Sequence, residues 1–353
     1  MLMLMGMTMV RGEKRLGVLY ATGGGFCNQH YGHLDAIAIA LYANASFVVN
    51  SVADFHTRQP GPLGPGSAWR SVPLSDAYDT VHLTESLKRL GVEYLMQREP
   101  PGDSCTVDLP LEDTPESFCK GPERLDADLR AALNQANGPP CEGKSKILLR
   151  LACARCMLHP RRIWSITHAL SSLRFSPRLR SLAQNGIAAL RALAPRFNGV
   201  HLRLEEDMEA HFWGSIRGLA GRLYARAAEE AGLNASTPLY IATGALPKDS
   251  TRFSLPDFTA AFSSRSIGKE DIFPASVLRD LPADLVAILE FLVLLEADLL
   301  VGHPLSTFSL ALQGYRRLRH MPTQMLHPDL LLKILSRGNN GFLAHEVQYC
   351  YDI

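Results

Sequence analysis

The chain is poor in cysteine: seven in 353 residues is too few for a disulfide scaffold, and the odd number leaves at least one unpaired within the chain. Long apolar runs are missing too. The longest, residues 291–301, is broken by Glu296 and Asp298 and falls far short of the roughly 20 residues that a membrane-spanning helix needs. Charge of one sign is not in excess. With 36 basic and 35 acidic residues the net charge is +1, so no global field favours nucleic acid or an anionic membrane, and an anionic ligand must be held locally. Low-complexity blocks and internal repeats are absent. None of the 12 histidines forms a helical HExxH, there is no GxSxG elbow, and the glycines at 23–25 are followed by no Walker lysine. Hydrolase, zinc-peptidase and P-loop readings therefore lack support.

What is present is an ordinary folded composition, 46% hydrophobic and 20% charged. The length exceeds what one core usually organises, so two domains are expected, with the cleft between two lobes as the default site. The opening MLMLMGMTMV is apolar, but Arg11, Lys14 and Arg15 follow it rather than precede it, unlike a secretory signal. Residues 1–15 read as a tail or the remnant of a leader. Two sequons, at Asn44 and Asn234, permit a secretory reading.

Residues 16–20 read as a buried strand, followed by the loop ATGGGFCNQ, a helix over about 33–43 and a second strand from Phe47. This is the start of an α/β unit, in which ligands lie beyond the carboxyl ends of the strands. Proline and glycine density makes residues 59–67 and 137–144 exposed loops. Residues 146–194 read as helical, interrupted at Phe175-Ser176-Pro177, where Ser176 can cap a helix opening on Pro177. The α/β rhythm then resumes with a strand at 199–202, a helix over about 215–231, a strand at 239–243 and a buried segment at 288–301, read as a strand.

The segment HLRLEEDM, residues 201–208, closes one of these strands. His201 and Arg203 are two apart, so both face one side while Leu202 faces the other. Arg203 presents a planar fork of permanently charged donors, which suits a diphosphate, although spacing alone favours, by about two to one, an arginine simply paired with Glu205 or Asp207 at a strand end. In LSTFS, Ser306, Thr307 and Ser309 supply hydroxyls beside the amides of a helix start, an arrangement that binds anions without a metal or simply caps the helix. Two pairs resemble the Asp-x-Asp of metal sites. Asp126 and Asp128 fall in the helical PERLDADLRAAL, on a solvated face; Glu296 and Asp298 are better placed. Cys153 and Cys156 read as small core residues or disulfide partners.

Four blocks in order resemble the plant-type GDP-fucose protein O-fucosyltransferases. HLRLEEDM is similar to the family's HLRFExDM; SLRFSPRL (172–179) to LRFSPEI; FLVLLEADLLVGHPLSTFS (291–309) to the EAD strand, glycine and Ser-Thr-Phe turn; and GGFCNQHYGHLDAIAIALYANAS (24–46) to the GRFGNQ loop and its helix. The resemblance implies a GT-B-like α/β fold of two facing Rossmann-like lobes with a central cleft. Residues 16–174 would form the acceptor-side lobe and 175–353 the nucleotide-sugar lobe.

It further implies an inverting transfer of fucose from GDP-fucose to a hydroxyl, a Ser or Thr of a protein, in the Golgi or ER lumen. No metal or other cofactor is expected, and membrane contact only through an N-terminal anchor lying outside the chain. Donor contacts are implied at Gly25, Phe26, Asn28, His201, Arg203, Glu290, Asp298, Ser306, Thr307 and Phe308, with Glu290 reading the guanine edge. Arg203, Asp207 and Glu205 form the implied catalytic set. The base itself stays open among Glu205, Glu206, Asp207, His201, His33 and Asp35. Where the family carries an arginine in the first loop this chain has Gly25, and His30 is the residue placed to substitute for the basic residue of the plant NQQR. Two alternatives remain: a GT-B transferase of another nucleotide sugar or for a glycan acceptor, and a catalytically silent GDP-sugar-binding homologue.

Overall fold

A computed structural model of the chain describes residues 14–22, 25–50, 54–58, 69–97, 100–109, 122–151, 165–203, 220–233, 236–244, 266–304 and 306–326. They form two compact units, one of residues 1–56 and 71–177, the other of residues 57–70 and 178–353.

In the first unit the strands are β1 (Arg15–Tyr20), β2 (Phe47–Asn50), β5 (Glu93–Met96), β6 (Ser104–Leu109) and β7 (Lys146–Leu151). They pair in the order β5-β2-β1-β7-β6, all parallel. A two-stranded pair, β3 (Asp54–Arg58) with β4 (Trp69–Pro73), stands beside the sheet order and straddles the division between the units. The helices are α1 (Phe26–Tyr42), α2 (Leu74–Ala77), α3 (Thr80–Arg89), α4 (Pro122–Ala136) and α5 (Ser165–Ser172).

Helix α1 starts at Phe26, a full two turns before the apolar periodicity begins at residue 33, because its first turns are buried as well. Strand β7 corrects the helical reading of 146–151. The run KILLRL lies between β1 and β6, and a strand covered on both faces has no polar alternation to betray it. The connector 137–144 is a 3-10 turn at Pro139–Cys141, whose buried Cys141 is disulfide-bonded to Cys105 of β6. Cys27 is a buried thiol outside that disulfide, and the remaining cysteines lie outside the described residues.

The main part of the second unit opens with α6 (Pro177–Leu193). The Ser176 hydroxyl before it donates to Asp76 O at 2.9 Å. Its strands are β8 (Asn198–His201), β9 (Leu239–Ala242), β10 (Ser266–Ile267), β11 (Leu300–Gly302) and β12 (Thr323–Met325), in the order β10-β9-β8-β11-β12 and again all parallel. Its helices are α7 (Ala220–Glu230), α8 (Lys269–Ile272), α9 (Ala275–Asp280), α10 (Ala283–Leu295) and α11 (Thr307–Leu318).

Helix α10 corrects the reading of 288–301 as strand. ADLVAILEFLVLL is apolar nearly all round, so it carries no helical stripe, and only residues 300–302 form the strand. Glu290 consequently sits in the middle of a helix. Arg316 of α11, wholly buried, anchors the end of that helix by donating to Leu294 O (3.0 Å), Leu295 O (3.3 Å), Ala297 O (2.6 Å) and Asp298 O (3.4 Å), and reaches Pro322 O (2.7 Å) and Thr323 Oγ1 (3.0 Å).

Candidate functional site

Because every strand of the second sheet is parallel, its carboxyl ends gather along one edge: His201 of β8, Ala242 of β9 with Thr243 after it, and Gly302 of β11 with His303 after it. Beyond His201 the backbone stays tied to its neighbours. Leu202 N–H donates to Ala242 O (2.9 Å), and Arg203 N–H to the hydroxyl of buried Tyr224 on α7 (3.1 Å). The strand end thereby holds Arg203, itself half-buried, where β8 leaves the sheet.

Beside it, the turn from β11 into α11 supplies the remaining groups. Ser309 is wholly buried; its Oγ accepts the His303 N–H (2.9 Å) and lies 2.7 Å from His201 Nδ1. The Phe308 ring lies against the His201 imidazole, with centroids 4.3 Å apart, and is braced by Phe291 of α10 at 5.4 Å. Ser306 is the N-cap of α11, yet its side chain makes no capping hydrogen bond, and Thr307 opens the helix half-buried. The first amides of a 12-residue helix thus begin beside Arg203's strand, a combination suited to anionic oxygen.

Electrostatics favour one permanent cation with neutral neighbours. Burial first, then Arg203 and His303, hold His201 well below the usual histidine range. His303 is lowered to about 3 by burial and then by Arg203. Both rings are therefore neutral at working pH.

Glu290, buried on α10, pairs with Lys269 Nζ of α8 at 3.4 Å, and the same ammonium donates to Thr243 O at 2.7 Å, so this carboxylate reaches the carboxyl-end region of β9. Asp298 does not join this edge. It lies before β11, where its Oδ2 accepts the Phe197 N–H (3.1 Å) and its Oδ1 pairs with Arg196 (3.2 Å), at the amino ends of the strands. The parallel strand β11 lies between Asp298 and the turn that carries Ser306. Glu296 is likewise held by Arg319 (2.7 Å) and Arg191 (3.7 Å). Among the described residues no three His, Cys, Asp or Glu side chains cluster as metal ligands. Asp126 is half-buried and accepts from Tyr42 (2.8 Å), rather than lying on a freely solvated face.

In the first unit, Gly25 is the N-cap of α1, its carbonyl accepting from Asn28 N–H (3.0 Å) and Gln29 N–H (3.2 Å). Asn28 is half-buried at the helix start. Phe26 is turned into the core, with its ring 5.7 Å from both His30 and Phe175. His30 cannot substitute for a basic loop residue. It is wholly buried, stacked with Phe175 (5.3 Å) and Tyr78 (5.8 Å), and burial followed by His33 lowers it to about 3. His33 is buried with Nδ1 2.7 Å from the Tyr20 hydroxyl and is lowered by burial to about 3; Asp35 is also buried. Glu205, Glu206 and Asp207 lie outside the described residues.

His303, Lys269 and Tyr224 had no signal in the sequence. For His303 the one available hint was its place directly after the strand-ending glycine.

A family model described as GDP-fucose protein O-fucosyltransferase matches residues 18–319. No curated protein matches the chain. Among solved structures, POFUT1 in complex with GDP is similar at TM-score 0.54 and 15% identity, covering 89% of this chain and 99% of that one. POFUT1 in complex with GDP-fucose is similar at TM-score 0.54 and 16% identity, with the same coverage of 89% and 99%. The fucosyltransferase NodZ from Bradyrhizobium has TM-score 0.47 and 14% identity, over 86% of this chain and 93% of that one. Two α/β units with parallel sheets make the fold GT-B-like.

Proposed function

The chain belongs to the GDP-fucose protein O-fucosyltransferase family and is a glycosyltransferase, and from that premise we propose that it moves fucose from GDP-fucose to a hydroxyl with inversion, without a metal, the acceptor being Ser or Thr of a protein. The observation that carries this reading is the edge where Arg203, neutral His201 and the uncapped start of α11 at Ser306 meet.

In the proposed reaction the acceptor oxygen attacks the sugar carbon from the face opposite the diphosphate. The bond to the diphosphate oxygen breaks, and GDP leaves carrying the electron pair. Arg203 is the group suited to the charge developing on that oxygen, since its fork stays protonated and needs no reorganisation during the reaction. Ser306, Thr307 and the first amides of α11 hold the phosphates. Glu290, already paired with Lys269, offers its carboxylate to a guanine edge, a preference adenine cannot satisfy because it lacks the paired donors. The acceptor's proton passes to a carboxylate of the segment after Arg203, Glu205 or Asp207. The disulfide between Cys105 and Cys141 favours an oxidising compartment, which supports a Golgi or ER lumenal setting.

The test is nucleotide-dependent thermal stabilisation: GDP, but not UDP or ADP, raises the melting temperature, and EDTA leaves the gain unchanged. Equal stabilisation by UDP would overturn the guanine assignment, and loss of the gain in EDTA would overturn metal independence. Gly25 and the burial of His30 favour a second reading, a silent homologue that binds GDP-sugar. GDP binding with neither transfer nor hydrolysis of GDP-fucose would select it.

A further inference from the structure

Ser309 has one hydroxyl proton and two partners. Its Oγ accepts the backbone N–H of His303 at 2.9 Å and stands 2.7 Å from His201 Nδ1, and these are its hydrogen bonds among the described residues. The His303 amide can only donate, so it occupies a lone pair and leaves the hydroxyl hydrogen to be placed. If His201 carried its hydrogen on Nδ1, that nitrogen would also donate to Oγ. The hydroxyl of a wholly buried serine would then have no acceptor, which buried donors rarely tolerate. With the hydroxyl donating to Nδ1, the serine hydroxyl, the His303 amide and Nδ1 are all satisfied, and the imidazole hydrogen sits on Nε2. An imidazolium, with hydrogen on both nitrogens, meets the same conflict.

The surroundings fix the ring in that pose. Phe308 lies on the imidazole at an interplanar angle of 31°, and Phe291 braces Phe308 edge-on. Gly302 makes the approach of Ser309 to β11 feasible: a Cβ there would stand 3.0 Å from both Cβ and Oγ of Ser309. The glycine and the serine form a single device, although Ser309 sits six residues beyond His303 and, read along the chain, offers itself as one more phosphate-binding hydroxyl.

We propose that Ser309 is a positioning residue that holds His201 as the neutral Nε2–H tautomer, making His201 a hydrogen-bond donor to a phosphate oxygen of the nucleotide sugar and not the base that takes the acceptor's proton. The identity of the ligand rests on the function proposed above; the tautomer does not. Neither nitrogen of His201 is left to accept a proton from the acceptor, since Nδ1 receives Ser309 and Nε2 already carries hydrogen.

The test is imidazole nitrogen NMR on the full chain labelled with [15N]histidine, His201 being assigned by its absence in His201→Gln. The expected result is Nε2–H in the wild type and loss of that preference in Ser309→Ala. An Nδ1–H tautomer in the wild type, or an unchanged tautomer in Ser309→Ala, overturns the proposal. Should Ser309→Ala fail to fold, Ser309→Cys keeps a weak donor in place and is expected to show a partial loss; an unchanged tautomer there with activity abolished overturns it equally. In GDP-fucose turnover, Ser309→Ala is expected to lower kcat/KM on the order of tenfold, with Ser309→Cys between it and the wild type. Calorimetric titration with GDP separates the two failures: a wild type that carries Nε2–H but binds no GDP refutes the ligand and leaves the role of Ser309 standing.

Discussion

Mild acid should unfold this protein through histidines that its fold keeps neutral. His30, His33 and His303 are each lowered from 6.5 to about 3, and His201 lies well below 6.5; burial is the first cause for all four. The sign follows from linkage. Each ring is neutral in the folded chain and protonated in the unfolded chain between about pH 3 and 6.5. The unfolded state therefore binds more protons there, and stability falls as pH falls. Between pH 6.5 and 5.5 one such histidine costs about 1 kcal/mol, so the four together remove about 4 kcal/mol, against a typical domain stability of roughly 5–15 kcal/mol.

The loss divides evenly, since His30 and His33 belong to the first unit and His201 and His303 to the second. Each unit should lose about 2 kcal/mol, or roughly 4–8 °C in Tm. The assay is calorimetry at constant ionic strength at pH 7.5, 6.5 and 5.5. His30→Phe keeps the stack with Tyr78 and Phe175 but removes one titrating group, so the acid-induced drop of the first unit should halve even though its Tm at pH 7.5 is lower. A Tm that does not move between pH 7 and 5.5, or a drop that His30→Phe leaves intact, refutes the reasoning.

Two further outcomes are expected. Arg203→Ala and Arg203→Lys should each lower GDP-fucose turnover on the order of 100-fold, because neither keeps the planar fork; unchanged turnover in either would remove Arg203 from the reaction. Arg316→Met, which fills the same space but strips the carbonyls at the end of α10 of their donor, should destabilise the second unit by about 3–5 kcal/mol and lower its Tm by roughly 10 °C in calorimetry. A shift under 2 °C, on the same scale, would mean that those carbonyls find other donors.

The α/β character and the strand that ends at His201 were legible because β8 is a short run between the proline after α6 and the charged segment that follows it. The loop and helix after β1 were legible for a similar reason, glycines marking the turn. Two elements were misread for one physical cause. KILLRL is a central parallel strand and ADLVAILEFLVLL a core helix; each is apolar on all sides, so neither shows the period that distinguishes a strand from a helix. Placing Glu290 on a strand followed from that ambiguity. Ser309 and His303 were illegible as partners of His201 because the hydrogen bond to Ser309 spans 108 residues and exists only once β11 lies parallel to β8.

That same adjacency explains how charge is apportioned at the edge. Two neutral imidazoles beside Arg203 are not a missed opportunity for more cation, since each would have to be protonated while buried next to an existing positive charge. Lys269, the other cation described near this edge, is committed to Glu290 and Thr243. Arg203 is therefore the cation that the site's neutral neighbours leave to face a diphosphate in the proposed reaction, beside donors whose hydrogens are fixed by their neighbours. In the first unit the position of a family arginine is Gly25, and the nearby His30 is locked neutral in the core. The arrangement makes stabilisation of the departing diphosphate depend on a residue whose protonation does not change with pH, so on the acid side the histidines act through folding and not through the charge offered to the diphosphate.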